Sequence, residues 1–187
     1  MNEPPQAPEP PGQLSPALDP STLREHFADP AVARTRADEL RAEIRAAPDQ
    51  VAELIARGDL VDLLRALGDD QDALNEALAA VDRADIAGSN AQQHTARVRL
   101  ARVHRARGEF ADYTALYTEL LAAATQFGPV VEAYTRQHAG ENDLDQGHTA
   151  DALAHFTRAL EIRTELQLDE AAESRTALEA ARRRGDA

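Results

Sequence analysis

An arginine-rich stripe in the middle of the chain carries the clearest binding chemistry. Arg99, Arg102 and Arg105 recur every third residue, so in a helix their side chains would lie along one side. A guanidinium group can bind a carboxylate through two parallel hydrogen bonds, and the stripe therefore favours an acidic peptide or a C-terminal carboxylate as a ligand. The alternative is pairing within the chain, for example of Arg102 or Arg105 with Glu141 or Asp145.

Histidine and carboxylate residues also gather between positions 138 and 155, where a metal site has to be considered. They are His138, Glu141, Asp145, His148 and His155. Such groups bind divalent ions, but the chain has no His-Glu-x-x-His motif, and among 33 acidic residues this spacing arises easily by chance. No serine lies in a nucleophile motif and there is no glycine-rich phosphate loop. We therefore expect no catalytic residues, no metal and no cofactor.

The overall charge and composition exclude further classes of partner. The chain has 33 acidic residues and 20 basic residues, all arginine, which gives a formal net charge of −13. Such a surface repels nucleic-acid phosphates. No apolar stretch approaches the roughly 18 residues of a membrane-spanning helix. The sequence has no cysteine and starts without a signal-peptide pattern, so we expect a cytoplasmic protein that binds neither nucleic acid nor membranes.

The apolar spacing predicts an all-α protein, because Ala, Leu, Glu and Arg dominate and all are strong helix formers. Eight helices are expected at about 30–47, 49–67, 70–86, 90–107, 109–127, 130–146, 149–167 and 169–184. Gly58 is a candidate break within the second helix. The last helix has only a weak apolar stripe, formed by Ala172, Leu178 and Ala181, as a helix that closes the end of a stack would have.

The N-terminal residues have a different composition from the rest. Seven of the ten prolines fall within the first twenty residues. Proline fixes φ and lacks an amide donor, so residues 1–20 are predicted to be a disordered tail that is dispensable for stability. Residues 21–187 are predicted to form one helical domain.

Three segments of that domain share one pattern. Gly68, Gly108 and Gly147 lie about 40 residues apart, and a period of roughly 20–50 residues is typical of stacked repeats. Nine and twelve residues after these glycines come the pairs Ala77 and Ala80, Tyr117 and Leu120, and Phe156 and Ala159. The predicted units span about 50–87, 90–127 and 129–167.

The third unit resembles the tetratricopeptide repeat. The resemblance is carried by Ala139, Gly140, Gly147, Ala152, Phe156 and Ala159. In that family a small pair on the first helix lets the second helix pack closely, through a small–aromatic–small ladder. The resemblance covers about residues 50–167, although the period is longer than the family's basic unit. It implies antiparallel helical hairpins stacked as a short right-handed solenoid, with a concave groove for peptides or proteins and a C-terminal capping helix.

The resemblance also implies which residues line that groove. Alignment to the third unit, with the neighbouring positions on the same helical faces, selects Asp62, Arg65, Arg99, Arg102, Arg105, Tyr134, Gln137, Glu141 and Asp145. If this face is solvated, changing Arg102 and Arg105 to Glu should abolish binding and spare the fold. The predicted function is a non-enzymatic adaptor or scaffold that binds a protein or peptide partner, with an acidic one favoured. The alternatives are a sensor of a small ligand or signalling peptide and, less favoured, a metal-dependent helical enzyme.

Overall fold

The computed structural model describes residues 16–185, except for the side chains of residues 110–112. This part of the chain contains eight α-helices, which confirms the predicted all-α class. They are α1 (Pro30–Ala46), α2 (Gln50–Leu67), α3 (Asp70–Ala87), α4 (Asn90–Arg107), α5 (Phe110–Ala124), α6 (Pro129–Asp145), α7 (Thr149–Glu165) and α8 (Ala171–Gly185). Two short strands, β1 (Ala17–Leu18) and β2 (Glu25–His26), pair antiparallel before α1.

Local capping chemistry sets the helix ends close to the predicted positions. The Asp49 side chain accepts a hydrogen bond from the first turn of α2, and Ser89 forms a reciprocal capping box with Gln92 at the start of α4. Gly68 and Gly108 end α2 and α4 in the left-handed conformation, with φ of 76° and 74°. Glycine adopts this conformation without the steric penalty of a side chain.

Gly58 does not break α2, which runs continuously from Gln50 to Leu67. A Cβ atom at position 58 would lie 2.3 Å from a terminal nitrogen of Arg99. The missing side chain therefore lets the Arg99 guanidinium of α4 lie directly against the backbone of α2.

Each helix packs against the next one along the chain. The even-numbered helices α2, α4 and α6 also contact one another in succession, and α6 contacts α8. They therefore form one continuous layer. We call its side that carries Asp62, Arg102 and Glu141 the α2/α4/α6 face. None of the helices within residues 16–185 combines the length and the apolar character needed to cross a bilayer.

The helices α6 and α7 are in close contact. Phe156 is fully buried, and a Cβ atom at Gly140 would lie only 2.8 Å from its ring. On α8 the buried side consists of Ser174, Ala177, Leu178, Ala180 and Ala181. The predicted stripe is therefore wrong at Ala172, which is exposed because it precedes the turn that first contacts the core.

The structure also corrects the predicted end of the N-terminal tail. Residues 16–20 belong to the folded unit, because β1 pairs with β2 and Leu18 packs against the cluster around Phe156. Proline is tolerated here because Pro16 directly precedes the short edge strand and Pro20 lies in the turn that follows it. The rest of the predicted tail, residues 1–15, lies outside the described residues.

Candidate functional site

The α2/α4/α6 face is covered by the chain's own N-terminal segment, residues 16–27. The segment reverses direction in a hairpin in which Asp19 and Arg24 are joined by a 2.9 Å main-chain hydrogen bond. Leu23 occupies the left-handed region, with φ of 53°, and its side chain is almost completely buried. It packs against the cluster that contains Leu144 and Phe156. The hairpin turn and the burial of the leucine together hold a backbone conformation that residues other than glycine seldom adopt.

Glu25 is the charged anchor of this segment. Its Oε2 atom accepts hydrogen bonds from Arg102, at 3.0 Å, and from Arg65. Burial by itself would raise the pKa of Glu25, but Arg102 and Arg65 outweigh it and hold the pKa below its ordinary value. The carboxylate is therefore ionised at neutral pH and bridges α2 and α4.

Arg105 holds the main chain of the same segment. Its guanidinium donates to the carbonyl oxygens of Thr22 and Leu23, at 3.3 and 3.4 Å. It also donates to Glu141 at 2.8 Å and to Asp145 at 2.9 Å. Glu141 and Asp145 of α6 thus position the Arg105 guanidinium that binds the main chain of the segment.

Asp62 organises the other end of the arginine stripe. Its two oxygens accept hydrogen bonds from Arg99, at 2.9 Å, and from Arg102. Arg102 also donates to the Tyr134 hydroxyl at 3.0 Å. Burial opposes ionisation of Asp62, yet Arg102 and Arg99 keep its pKa well below the usual range. The stripe is thus neutralised within the chain at this end.

Glu141 is a buried hub on α6. Besides Arg105 it accepts hydrogen bonds from Gln137 at 3.2 Å and contacts Nδ1 of His138 at 3.1 Å. Burial and the nearby Arg102 lower the pKa of His138 to about 4, so its imidazole is neutral at pH 7. Because an ionised carboxylate can only accept, Nδ1 must carry the proton, which leaves Nε2 of His138 as an acceptor.

The network continues into α7 and α8 through Arg163. This side chain donates to the Gln137 carbonyl at 3.3 Å, to Ser174 at 2.8 Å and to Glu173 at 3.0 Å. Burial and the negative charge of Glu141 nevertheless raise the pKa of Glu173 to about 7. This carboxylate therefore changes its protonation state near neutral pH.

A cavity of about 500 Å³ lies beside Glu25. It is bounded by the N-terminal segment, by the helices α1, α2, α4 and α6, and by α7, α8 and the connection between them. Its polar wall includes Arg65, Arg102, His138, Arg163 and Glu173, and its apolar wall includes Phe27, Leu40 and Leu63. The volume falls in the range of small-molecule pockets.

All the groove residues selected from the sequence meet in this network, but the face is not solvated as expected. Arg102, Arg105, Gln137 and Glu141 are each less than a tenth exposed. Instead the alternative of internal pairing is found, since Arg105 binds Glu141 and Asp145. The physical reason is that the N-terminal segment lies over the arginines and excludes water from them.

The sequence analysis missed the residues of that segment. Leu23, Glu25 and Phe27 point towards the protein, whereas Arg24 and His26 are exposed. This alternation is the pattern of a half-buried strand. It covers only five residues beside a proline-rich stretch, which is too short to stand out from the helical pattern.

The histidine and carboxylate residues do not assemble into a metal site. Nowhere in residues 16–185 are three His, Asp or Glu side chains grouped so that they could hold a metal ion. Glu141 and Asp145 bind Arg105, and His155 lies 3.5 Å from Asp143 instead. These side chains therefore have structural partners that account for their positions.

Comparisons of the sequence with known protein families and with curated proteins find no match. The resemblance to the tetratricopeptide repeat therefore rests on the residue pattern alone.

Proposed function

We propose that the protein is a non-enzymatic, cytoplasmic adaptor with a tetratricopeptide-like helical stack, and that its α2/α4/α6 face binds an extended peptide from a protein partner. One observation carries the proposal: the chain's own N-terminal segment already occupies this face as a non-helical peptide. Arg105 binds its carbonyl oxygens, and Arg65 and Arg102 bind its Glu25 carboxylate.

The two kinds of contact have different consequences for recognition. Hydrogen bonds from Arg105 to main-chain oxygens are available to any extended peptide, whatever its sequence. The buried Arg65 and Arg102 instead require a carboxylate, because leaving a buried guanidinium unpaired is unfavourable. An acidic extended peptide therefore satisfies this face better than a basic one or a neutral one.

Selection of random twelve-residue peptides on the full-length protein tests the proposal. The selection should be run on the native chain and on the Glu25→Ala variant, in which Arg65 and Arg102 lose their resident carboxylate. Selected peptides should be acidic, and their affinity, measured by fluorescence anisotropy, should fall as salt screens exposed charges.

A matched pair of arginines on α1 locates the binding site. Arg36 lines the cavity and its side chain is 35% exposed, whereas Arg41 is 36% exposed and lies away from the cavity. Arg36→Ala should weaken the binding of selected peptides, and Arg41→Ala should not. Failure to select any peptide on either target, or equal effects at the two arginines, would refute binding at this face.

The cavity beside Glu25 supports a second candidate function, the sensing of a small ligand. Its volume of about 500 Å³ and its convergent Arg102, Arg163 and His138 side chains suit a compact carboxylic acid. A thermal-shift screen of small carboxylic acids would test this candidate. A ligand that raises the melting temperature should lose its effect in Val130→Asp, since the exposed Val130 lies at the cavity wall.

A further inference from the structure

We infer that the N-terminal segment is an internal ligand of the α2/α4/α6 face, and that the external peptide which replaces it carries the same two anchors: an apolar residue and, two positions later, Glu or Asp. The inference rests on the proposed peptide-binding function and specifies both the partner's chemistry and its competitor. The anchors in this chain are Leu23 and Glu25.

The first anchor is an apolar side chain in a built pocket. Leu23 is 3% exposed and packs with Leu144, Phe156 and Leu178, so the pocket is formed by α6, α7 and α8. In this chain the leucine occupies the pocket with a positive φ, within the hairpin turn. An external peptide has no such turn and can present its apolar residue from an ordinary extended backbone.

The second anchor is a carboxylate between two buried guanidinium groups. Both Arg65 and Arg102 donate to the same oxygen of Glu25. The Nε atom of Arg65 is buried and has no hydrogen-bond partner among the described residues. A carboxylate that is free of the hairpin can meet Arg65 through two parallel hydrogen bonds, using this spare donor. The site therefore has unused capacity for an acidic residue that the internal ligand does not fill.

The remaining contacts of the segment carry little sequence information. Arg105 binds the carbonyl oxygens of Thr22 and Leu23, and Arg184 binds the carbonyl oxygen of Ser21 at 2.7 Å. Between and after the anchors, Arg24 and His26 are exposed, and the contacts of Arg24 with the Ala106 carbonyl oxygen at 3.3 Å and with Asp145 at 3.9 Å are exposed ones that contribute weakly. Specificity is thus concentrated at the inward positions, where Phe27 adds an apolar contact after the two anchors, and the exposed His26 is free to vary.

Covalent attachment gives the internal ligand an advantage over any partner. The segment continues through the exposed Ala28 and Asp29 into α1, so it is held beside its site. Short tethers of this kind produce effective concentrations on the order of millimolar. A partner peptide must compete with the tethered segment at this effective concentration. Cutting the tether should therefore make the face more accessible to an added peptide.

The test is to cut the tether in the full-length protein and follow exchange of the segment. A protease recognition sequence is inserted between Ala28 and Asp29, and a fluorescent synthetic peptide with the sequence of residues 16–28 serves as the probe. The cut protein should take up the probe saturably, and the uncut protein should bind it at least about tenfold more weakly. Probes carrying Leu23→Ser or Glu25→Gln should bind the cut protein about 10- to 100-fold more weakly. The matched probe with His26→Ala, which changes an exposed residue, should bind within about twofold of the unmodified probe.

Three results would overturn the inference. The cut protein could keep its helical circular dichroism and take up no probe. The three altered probes could bind alike, which would show that Leu23 and Glu25 are not anchors. The uncut and cut proteins could bind the probe equally, which would place its site elsewhere.

A second variant covers the case in which the cut protein unfolds. The uncut Glu25→Gln chain should then bind the unmodified probe more tightly than the native chain does, and equal binding would contradict the inference. Failure of the inference can be distinguished from failure of the proposed function. Random peptides that bind this face without an apolar-x-acidic pattern would refute the inference and leave peptide binding intact, whereas no selected peptide would refute both.

Discussion

Replacing the buried hub Glu141 by glutamine should destabilise the protein by about 2–4 kcal/mol. Glu141 is 4% exposed and accepts from Arg105 at 2.8 Å, Gln137 at 3.2 Å and His138 at 3.1 Å. An amide has one acceptor oxygen in place of two, and its NH₂ group must face one of these donors. The cost stays below that of a fully unpaired buried arginine because Asp145 still binds Arg105.

Urea unfolding followed by circular dichroism at pH 7 measures this cost. The matched control is Glu161→Gln, which removes the same charge from a carboxylate that is 53% exposed and pairs with Arg158. It should change the free energy of unfolding little, since exposed ion pairs contribute weakly. A loss below about 1 kcal/mol for Glu141→Gln, or equal losses for the two variants, would refute the assignment of Glu141 as a structural hub.

The pH dependence gives an independent check on the same residue. Burial opposes ionisation of Glu141, but His138 and Arg105 keep its pKa well below the ordinary value of 4.5. At pH values between 4.5 and the lower pKa of the folded state, Glu141 is protonated in the unfolded chain and ionised in the folded chain. The stabilisation is therefore complete above about pH 4.5 and is lost as the pH falls. The difference in stability between the native chain and Glu141→Gln should narrow below about pH 4.5, and a difference that stays constant down to pH 3 would contradict this account.

The remaining predictions concern packing, backbone conformation, titration and the N-terminal segment. Phe156→Ala should cost about 3–5 kcal/mol in urea unfolding, because the ring is fully buried against α6, and a cost below about 1 kcal/mol would contradict that packing. Gln167→Gly should raise the stability by about 0.5–1 kcal/mol, since residue 167 follows the C-terminus of α7 with φ of 56°, and a lower melting temperature would be evidence against strain there. The pKa of Glu173 is raised to about 7 in the folded state, so its contribution to stability is lost as the pH rises from 4.5 to 7, at up to about 1.4 kcal/mol per pH unit. Glu173→Gln should remove this loss of stability between pH 4.5 and 7, and an unchanged dependence of stability on pH would refute the assignment to Glu173. Deleting residues 1–20 should lower the melting temperature more than deleting residues 1–15, because only the longer deletion removes β1, and equal melting temperatures would show that β1 is dispensable.

The helices could be predicted from the sequence because their limits are set by neighbouring residues. An Asp49 or Ser89 cap and a left-handed glycine such as Gly68 act within one turn of the helix end. The contact of Phe156 with Gly140 could also be anticipated, because the resemblance to the tetratricopeptide repeat implies close packing of a small pair on one helix against the next helix. These features depend on short stretches of chain that one sequence displays directly.

The position of the N-terminal segment over the α2/α4/α6 face could not be predicted in the same way. Glu25 pairs with Arg102, far along the chain, and no local pattern in the sequence links the two residues. The proline-rich residues beside Glu25 indicate an unstructured tail, so the two-residue strand Ala17–Leu18 was not anticipated either. Burial of the arginines is a consequence of this cover, and a stripe of arginines on a helix otherwise indicates a solvated surface.

That burial changes what charge reversal on the arginine stripe would measure. The sequence analysis expected Arg102→Glu with Arg105→Glu to abolish binding and spare the fold. In the structure the first change would place a carboxylate against Asp62 and Glu25, and the second would place one against Glu141. Like charges in a buried setting are strongly unfavourable, so the double variant should unfold instead of reporting on binding. Surface variants at the cavity mouth and altered peptides can separate recognition from folding, because they leave this buried network intact.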